Sequence, residues 1–129
     1  MASLIDANLL IRFLTGDNHR QAKLVEKLLA DSKKTFVLLD LVFAEIVWVL
    51  ESFYQFPREE IAQKLEIVLW LPNIKSNRRL LLQALAIYQN KNVDFIDAYL
   101  AAVSQEKKMK IYSFDRDFSK IPKINWQKP

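Results

Sequence analysis

The sequence contains no cysteine, one histidine and one glycine. Without cysteine it has no disulfides, no thiolate nucleophile and no cysteine-ligated zinc site. The single histidine, His19, excludes two-histidine acid–base catalysis and multi-histidine metal sites, and we predict that it lies on the surface. The single glycine, Gly16, excludes the glycine-rich loops that bind phosphates. Catalysis or metal binding by this chain therefore depends on other side chains, and acidic residues are prominent among them.

Long apolar runs are also absent. The longest, Phe36–Leu50, is interrupted by Asp40 and Glu45 and is too short to span a bilayer. The first residues, Met1–Asp6, lack the basic and apolar segments of an export signal. We therefore expect a cytoplasmic protein without a membrane partner.

Apolar stretches typical of buried strands alternate along the chain with stretches of helical periodicity. This alternation predicts an α/β fold with a mostly parallel sheet. The predicted strands are Ala2–Ile5, Phe36–Leu39, a short one at Ile74, Met109–Phe114 and Ile121–Trp126. The predicted helices are Asn8–Leu14, His19–Ala30, Asp40–Tyr54, Pro57–Trp70, Arg78–Asn90 and Val93–Lys107. The length of 129 residues fits one domain, and we predict a single domain over residues 1–129.

Acidic residues directly follow two of the predicted strands. Asp6 ends the first apolar stretch, and Asp115 follows the stretch that ends at Phe114. Because open α/β sheets bind their ligands at the carboxyl ends of the strands, both acids are candidates for a functional site. A second interpretation of Asp6 is a helix N-cap, for which aspartate is well suited.

Three further candidate acids lie in helices that we predict to be buried. Glu45 stands in the middle of a helix that is apolar on every side, with no base within one turn, and a buried glutamate requires a partner. Asp94 and Asp97 begin the segment Val93–Ala102, which is otherwise nearly all apolar. Their spacing of three residues places both carboxylates toward one face of a helix.

The four acids Asp6, Glu45, Asp97 and Asp115 could converge in one crevice, although the sequence alone does not fix this. Carboxylates at such short range cannot all ionise without a cation. A set of oxygen ligands without nitrogen or sulfur selects Mg²⁺ or Mn²⁺. Such a site suits phosphodiester hydrolysis by a metal-activated water.

The chain carries a formal net charge of +4 and an isoelectric point near 9.3, which favours a polyanionic partner. From Lys107 to Lys128 there are seven basic residues against two acidic ones. This excess could follow a phosphate backbone. It could equally be a solvated basic surface.

Several motifs together resemble the PIN-domain family, in particular ribonuclease toxins of the VapC type. They are Leu-Ile-Asp-Ala-Asn at Leu4–Asn8, the helical Glu45, Asp-Phe-Ile-Asp-Ala-Tyr-Leu-Ala-Ala at Asp94–Ala102, and Ser-Phe-Asp-Arg-Asp-Phe at Ser113–Phe118. The resemblance covers the whole chain. It implies a three-layer α/β/α sandwich, Mg²⁺- or Mn²⁺-dependent endoribonuclease activity, a homodimer, and neutralisation by a small cognate antitoxin.

The resemblance also implies roles for individual residues. It assigns catalytic metal binding to Asp6, Glu45, Asp97 and Asp115. It assigns supporting hydrogen bonds or auxiliary acid roles to Asn8, Asp94, Ser113 and Asp117. Ala7 departs from the family pattern, which has Thr or Ser there, so one supporting hydroxyl is missing. The expected substrate is RNA, with tRNA and rRNA both open as targets.

Two other functions remain open. The same acids could accept basic side chains in a non-catalytic RNA- or protein-binding module, which would bind tightly without metal-dependent turnover. A phosphatase that acts through an aspartyl-phosphate is disfavoured, because Asp6-Ala7-Asn8 lacks a second aspartate two residues after the first.

Overall fold

The computed structural model describes all 129 residues, Met1–Pro129. The chain divides into two compact units, Met1–Arg78 and Arg79–Pro129. The first unit contains β1 (Ala2–Leu4), α1 (Ala7–Thr15), α2 (His19–Leu29), β2 (Thr35–Val37), α3 (Asp40–Ser52), α4 (Arg58–Leu69) and β3 (Ile74–Lys75). From the boundary onward follow α5 (Arg78–Lys91), α6 (Phe95–Lys107), β4 (Ile111–Tyr112), a 3₁₀ helix (Arg116–Lys120) and β5 (Trp126–Gln127). That the chain is a single domain stays a prediction.

All strand pairs are parallel. In the first unit the strand order is β1-β2-β3, with Ser3 opposite Phe36 and Phe36 opposite Ile74. In the second unit β4 pairs with β5, and Ile111 lies opposite Trp126. The predicted α/β class with a parallel sheet is confirmed. No helix combines the length and the apolar character needed to cross a membrane.

The turn between α1 and α2 is fixed by local hydrogen bonds. Gly16 ends α1 in the left-handed conformation, with φ at 66°, and its N–H donates to the Arg12 carbonyl at 2.9 Å. Asn18 caps α2 by accepting a hydrogen bond from the Gln21 N–H at 3.0 Å. The pKa of the intervening Asp17 carboxyl lies below its ordinary value, chiefly because the Tyr54 hydroxyl donates a hydrogen bond to it. These contacts direct α2 back along α1.

The prediction that α3 is buried nearly all round was wrong. Its buried residues lie at helical spacing on one face and are Phe43, Ile46, Val47 and Leu50. The opposite face exposes Leu41 by 81% and Trp48 by 66%. Although α3 is apolar on every side, one of its faces packs against the core and the opposite face lies on the surface.

Two further predictions of burial were wrong. β1 was expected to be buried, but Ala2, Ser3 and Leu4 are all exposed. The first buried residue is Ile5, which follows the strand. In α6 the expected burial holds for one face, whereas Ile96 is 56% exposed.

The predicted helices are confirmed with ends shifted by a few residues, and His19 is exposed as predicted. The C-terminal region differs more. The last strand was predicted at Ile121–Trp126 and lies at Trp126–Gln127. The 3₁₀ helix Arg116–Lys120 was not predicted, because its five residues are too short to show helical periodicity.

Replacement of Gly16 tests the turn that ends α1. A methyl group at this position meets no atom within 4 Å, so a substitution changes only the backbone preference. Gly16→Ala should lower the free energy of unfolding by about 1 kcal/mol, because L-residues disfavour the left-handed conformation. Gly16→Asn should cost less, because asparagine tolerates it. Urea denaturation measures both, and equal stability of Gly16→Ala and the wild type would contradict the account.

Candidate metal centre

Asp97 lies in the first turn of α6. The helix begins at Phe95, whose ring is buried, and Ala98 is buried on the same face. This packing places the Asp97 side chain at the edge of the buried face, where it is half-buried. Asp94 occupies the N-cap position, but its carboxylate makes no capping hydrogen bond and is exposed.

Asp115 and Asp117 are positioned by a turn that follows β4. The Asp115 N–H donates to the Ser113 Oγ at 2.9 Å, and the Asp117 N–H donates to the Asp115 Oδ1 at 2.8 Å. The Ser113 carbonyl accepts a hydrogen bond from the Trp126 Nε1 at 3.0 Å, which ties the turn to β5. Ser113 therefore holds the turn that carries Asp115. Residues close in sequence thus direct both carboxylates.

The carboxylates of Asp97, Asp115 and Asp117 form a cluster, the acidic triad. Each contributes one oxygen, and these oxygens lie within 4.8 Å of one another. Lys120 is the cation paired with this cluster, with its Nζ 3.0 Å from the Asp117 Oδ1. One lysine does not neutralise three carboxylates.

Burial is the largest effect on Asp97, and it raises the pKa of that carboxyl above its ordinary value. The negative charges of Asp115, Asp94 and Asp117 raise the same pKa further, in that order. A hydrogen bond between the Asp97 and Asp115 side chains acts in the same direction. The charged form of Asp97 is therefore disfavoured unless a cation is close.

The acidic triad fits a small divalent cation. Mg²⁺ binds oxygen at about 2.0–2.1 Å, so ligands on opposite sides of the ion are about 4.2 Å apart. The separation of at most 4.8 Å in the triad requires only small side-chain movements to reach that geometry. The ligands are all carboxylate oxygens, which suit Mg²⁺ and Mn²⁺ better than softer metals.

The other predicted site residues lie in the first unit. Asp6 precedes α1 at the N-cap position, where its exposed carboxylate makes no capping hydrogen bond. The Asp6 carboxylate therefore accepts no hydrogen bond from a backbone N–H of α1, although the capping interpretation requires one. Asn8 is exposed on α1.

The prediction that Glu45 is buried was wrong. It is exposed on the same face of α3 as Leu41 and Trp48. The inference from burial to a functional role therefore no longer applies to Glu45, and its assignment depends on the resemblance alone. That Asp6 and Glu45 share one site with Asp97 and Asp115 stays a prediction.

The sequence did not single out Lys120, and the auxiliary role of Asp117 stays a prediction. Asp117 was predicted to be auxiliary, and it lies in the triad with two of the predicted metal ligands. The signal for both residues was the capping sequence after β4, in which Asp115 caps the 3₁₀ helix and Lys120 follows Asp117 by one turn.

A sequence profile of the PIN domain family matches residues 3–124. This chain belongs to the PIN domain family. The match confirms the predicted family and its α/β fold class. A curated relative of this PIN domain is the VapC ribonuclease of Aquifex aeolicus, which is 27% identical over 124 residues, or 92% of this chain and 90% of the relative.

Two solved structures are also similar to this PIN domain. VapC20 of Mycobacterium tuberculosis, a toxin that cleaves the sarcin–ricin loop, is 18% identical with a TM-score of 0.45 over 100% of both chains. A chain of VapBC2 from Rickettsia felis, in a complex with a DNA fragment from its promoter, is 15% identical with a TM-score of 0.40. That match covers 99% of this PIN domain and 98% of the other chain.

Asp97→Asn should raise the free energy of unfolding of the metal-free PIN domain at neutral pH by on the order of 1 kcal/mol, because it removes a disfavoured charge. The folded protein binds the Asp97 proton more tightly than the unfolded chain does. The contribution of Asp97 to wild-type stability therefore falls as pH rises from 3.8, the ordinary pKa, to the raised pKa of the folded state. The stability gained through Asp97→Asn should be complete above the raised pKa and absent below pH 3.8.

Urea denaturation in EDTA across this pH range measures the effect. Glu106→Gln is the matched control, because Glu106 is exposed on the same helix outside the triad. If Asp97→Asn stabilises the protein as much in acid as at neutral pH, the stabilisation has a cause other than charge repulsion.

Proposed function

We propose that this chain is a divalent-metal-dependent endoribonuclease of the VapC type and the toxin of a toxin–antitoxin pair. The observation that carries the proposal is the acidic triad, in which burial and neighbouring charges raise the pKa of the Asp97 carboxyl. Membership of the PIN domain family and the similarity to a VapC ribonuclease support it. A cytoplasmic location remains a prediction.

In this proposal Asp97 and Asp115 hold Mg²⁺ or Mn²⁺, and Asp6 and Glu45 complete the set of catalytic ligands. The bound ion supplies an activated water and stabilises the leaving oxygen of a phosphodiester. The chain itself positions the carboxylates. The turn at Ser113 fixes Asp115, and the first turn of α6 fixes Asp97.

Two other acids serve as auxiliaries in the same site. Asp94 raises the pKa of Asp97, so it increases the affinity of the site for a cation without contacting the ion. Asp117 lies within reach as a further oxygen donor, and its ion pair with Lys120 must loosen if it binds the ion directly. Asn8 supports the site by hydrogen bonding in this proposal.

The proposed partners are an RNA substrate, a cognate antitoxin and a second copy of the chain. Their support is the resemblance to VapC toxins and the similarity to the Aquifex aeolicus relative. The positive net charge of +4 favours the RNA substrate, because cationic side chains attract its phosphates.

A non-catalytic binding module is the second candidate. The ion pair between Lys120 and Asp117 favours it, because it shows that an acid of the triad can accept a basic side chain. The two functions differ in turnover, since only the ribonuclease cleaves RNA in the presence of Mg²⁺ or Mn²⁺.

Asp97→Asn and Asp115→Asn should each lower RNA cleavage by more than about 100-fold, because loss of even an outer-shell partner of a metal costs about 10–100-fold. The assay is cleavage of total cellular RNA by antitoxin-free protein with Mn²⁺ or Mg²⁺. EDTA should abolish the fragments, and Glu106→Gln should retain them. Tight RNA binding without metal-dependent fragments would favour the binding module instead.

Asp6→Asn and Glu45→Gln test whether the site extends to the first unit. Each should weaken Mn²⁺ binding and cleavage, because each removes a ligand in the proposed set. Isothermal titration calorimetry with Mn²⁺ measures the affinity, and Glu26→Gln, an exposed acid on α2, is the control. Wild-type affinity and activity in both variants would restrict the site to the acids of the second unit.

A further inference from the structure

A cavity of about 360 Å³ lies at the amino ends of β4 and β5, within the second unit. The segments that precede the two strands line it, together with the end of α6. Lys108 and Lys123 contribute its charged groups, and Asn125 contributes an amide. No acidic side chain lines the cavity, so its electrostatic character is positive.

Hydrogen bonds hold the walls of this lysine cavity in place. The Gln105 Nε2 donates to the Pro122 carbonyl at 2.9 Å, which joins α6 to the segment before β5. The Ser104 Oγ donates to the Met109 carbonyl. The Asn125 carbonyl accepts from the Ile111 N–H at 2.8 Å. The cavity is therefore formed before any ligand binds.

Both lysines occupy backbone positions that ordinarily favour glycine or asparagine. Lys108 ends α6 in the left-handed conformation, with φ at 54°. Lys123 follows Pro122 in a turn and has φ at 63°. Left-handed helix ends and the second position of such a proline turn are typically Gly or Asn. A long cationic side chain is therefore present at both positions despite a backbone cost.

The two ammonium groups are available to a ligand. Neither Lys108 nor Lys123 forms an ion pair or a side-chain hydrogen bond within the chain. Two neighbouring lysines differ in this respect. Lys120 pairs with Asp117, and the Lys110 Nζ donates to the Gln127 Oε1 at 3.0 Å. Of these four lysines, the two without a partner are the two that line the cavity.

We infer that Lys108 and Lys123 form a subsite for backbone phosphates of the RNA, separate from the acidic triad. The inference rests on the proposed ribonuclease function. Asp115 and Asp117 follow β4, whereas the residues that line the cavity precede β4 and β5. Lys108 and Asp115 are seven residues apart in the chain, so their Cα atoms are at most about 25 Å apart. A stacked strand advances about 3.4 Å per phosphate, so the subsite holds RNA within about seven nucleotides of the cleaved bond.

The test is the double variant Lys108→Asn with Lys123→Asn, because asparagine suits the left-handed backbone at both positions. The measurement is the salt dependence of the affinity for a labelled single-stranded RNA, in EDTA so that no cleavage occurs. Loss of two phosphate contacts should reduce the slope of log Kd against log salt by about 1.4. Between about 50 and 200 mM salt the wild type should lose about sevenfold more affinity than the variant. Thermal stability should be unchanged or higher.

The matched control is Lys33→Gln with Lys34→Gln, two exposed lysines in the turn before β2. The control variant should have the same slope of log Kd against log salt as the wild type. The variant Lys108→Arg with Lys123→Arg should also have the wild-type slope. An unchanged slope in the asparagine variant would overturn the subsite while leaving metal-dependent cleavage intact. Equal reductions in the asparagine variant and the control would also overturn it, in favour of a diffuse basic surface. A wild type that neither binds nor cleaves RNA would overturn the proposed function as well.

Discussion

Repulsion among the carboxylates of the acidic triad is the constraint on which the candidate site depends. The first turn of α6 and the turn after β4 hold Asp97 and Asp115 close enough to share a hydrogen bond. Burial and the neighbouring negative charges both disfavour the charged form of Asp97. A fold that holds like charges together gives up stability, and clusters of this kind mark functional sites. In the proposed function a divalent cation relieves this repulsion, which gives the fold a reason to hold the acids together.

The charges of the chain are distributed unevenly around this cluster. The unit Met1–Arg78 carries ten basic and ten acidic side chains, whereas Arg79–Pro129 carries nine basic and five acidic ones. All of the net positive charge of the chain therefore lies in the unit that contains the acidic triad. Within it, β4 separates the triad from the lysine cavity. β4 is thus followed by two acids of the triad and preceded by residues that line the lysine cavity.

The sequence predicted those features that depend on a few neighbouring residues. Helix positions and the parallel strands follow from periodicity and from caps such as Asn18, which act over a few residues. The positions of Asp97 in the first turn of a helix and of Asp115 after a strand were predictable, because each position has a local signal in the sequence. Exposure was not predictable in the same way. Glu45 lies on the exposed face of α3 because burial depends on which elements cover a helix, and its apolar composition does not reveal this.

The central claim is that the carboxylates of Asp97 and Asp115 bind a divalent cation. Anomalous diffraction from crystals grown with Mn²⁺ tests it most directly, because the signal locates the ion independently of activity. The account predicts a peak within about 2.0–2.6 Å of an oxygen from each of these carboxylates, which spans the usual range for hard divalent ions. Ordered carboxylates without a peak, at Mn²⁺ concentrations that saturate binding in solution, would contradict it, as would a peak elsewhere on the molecule.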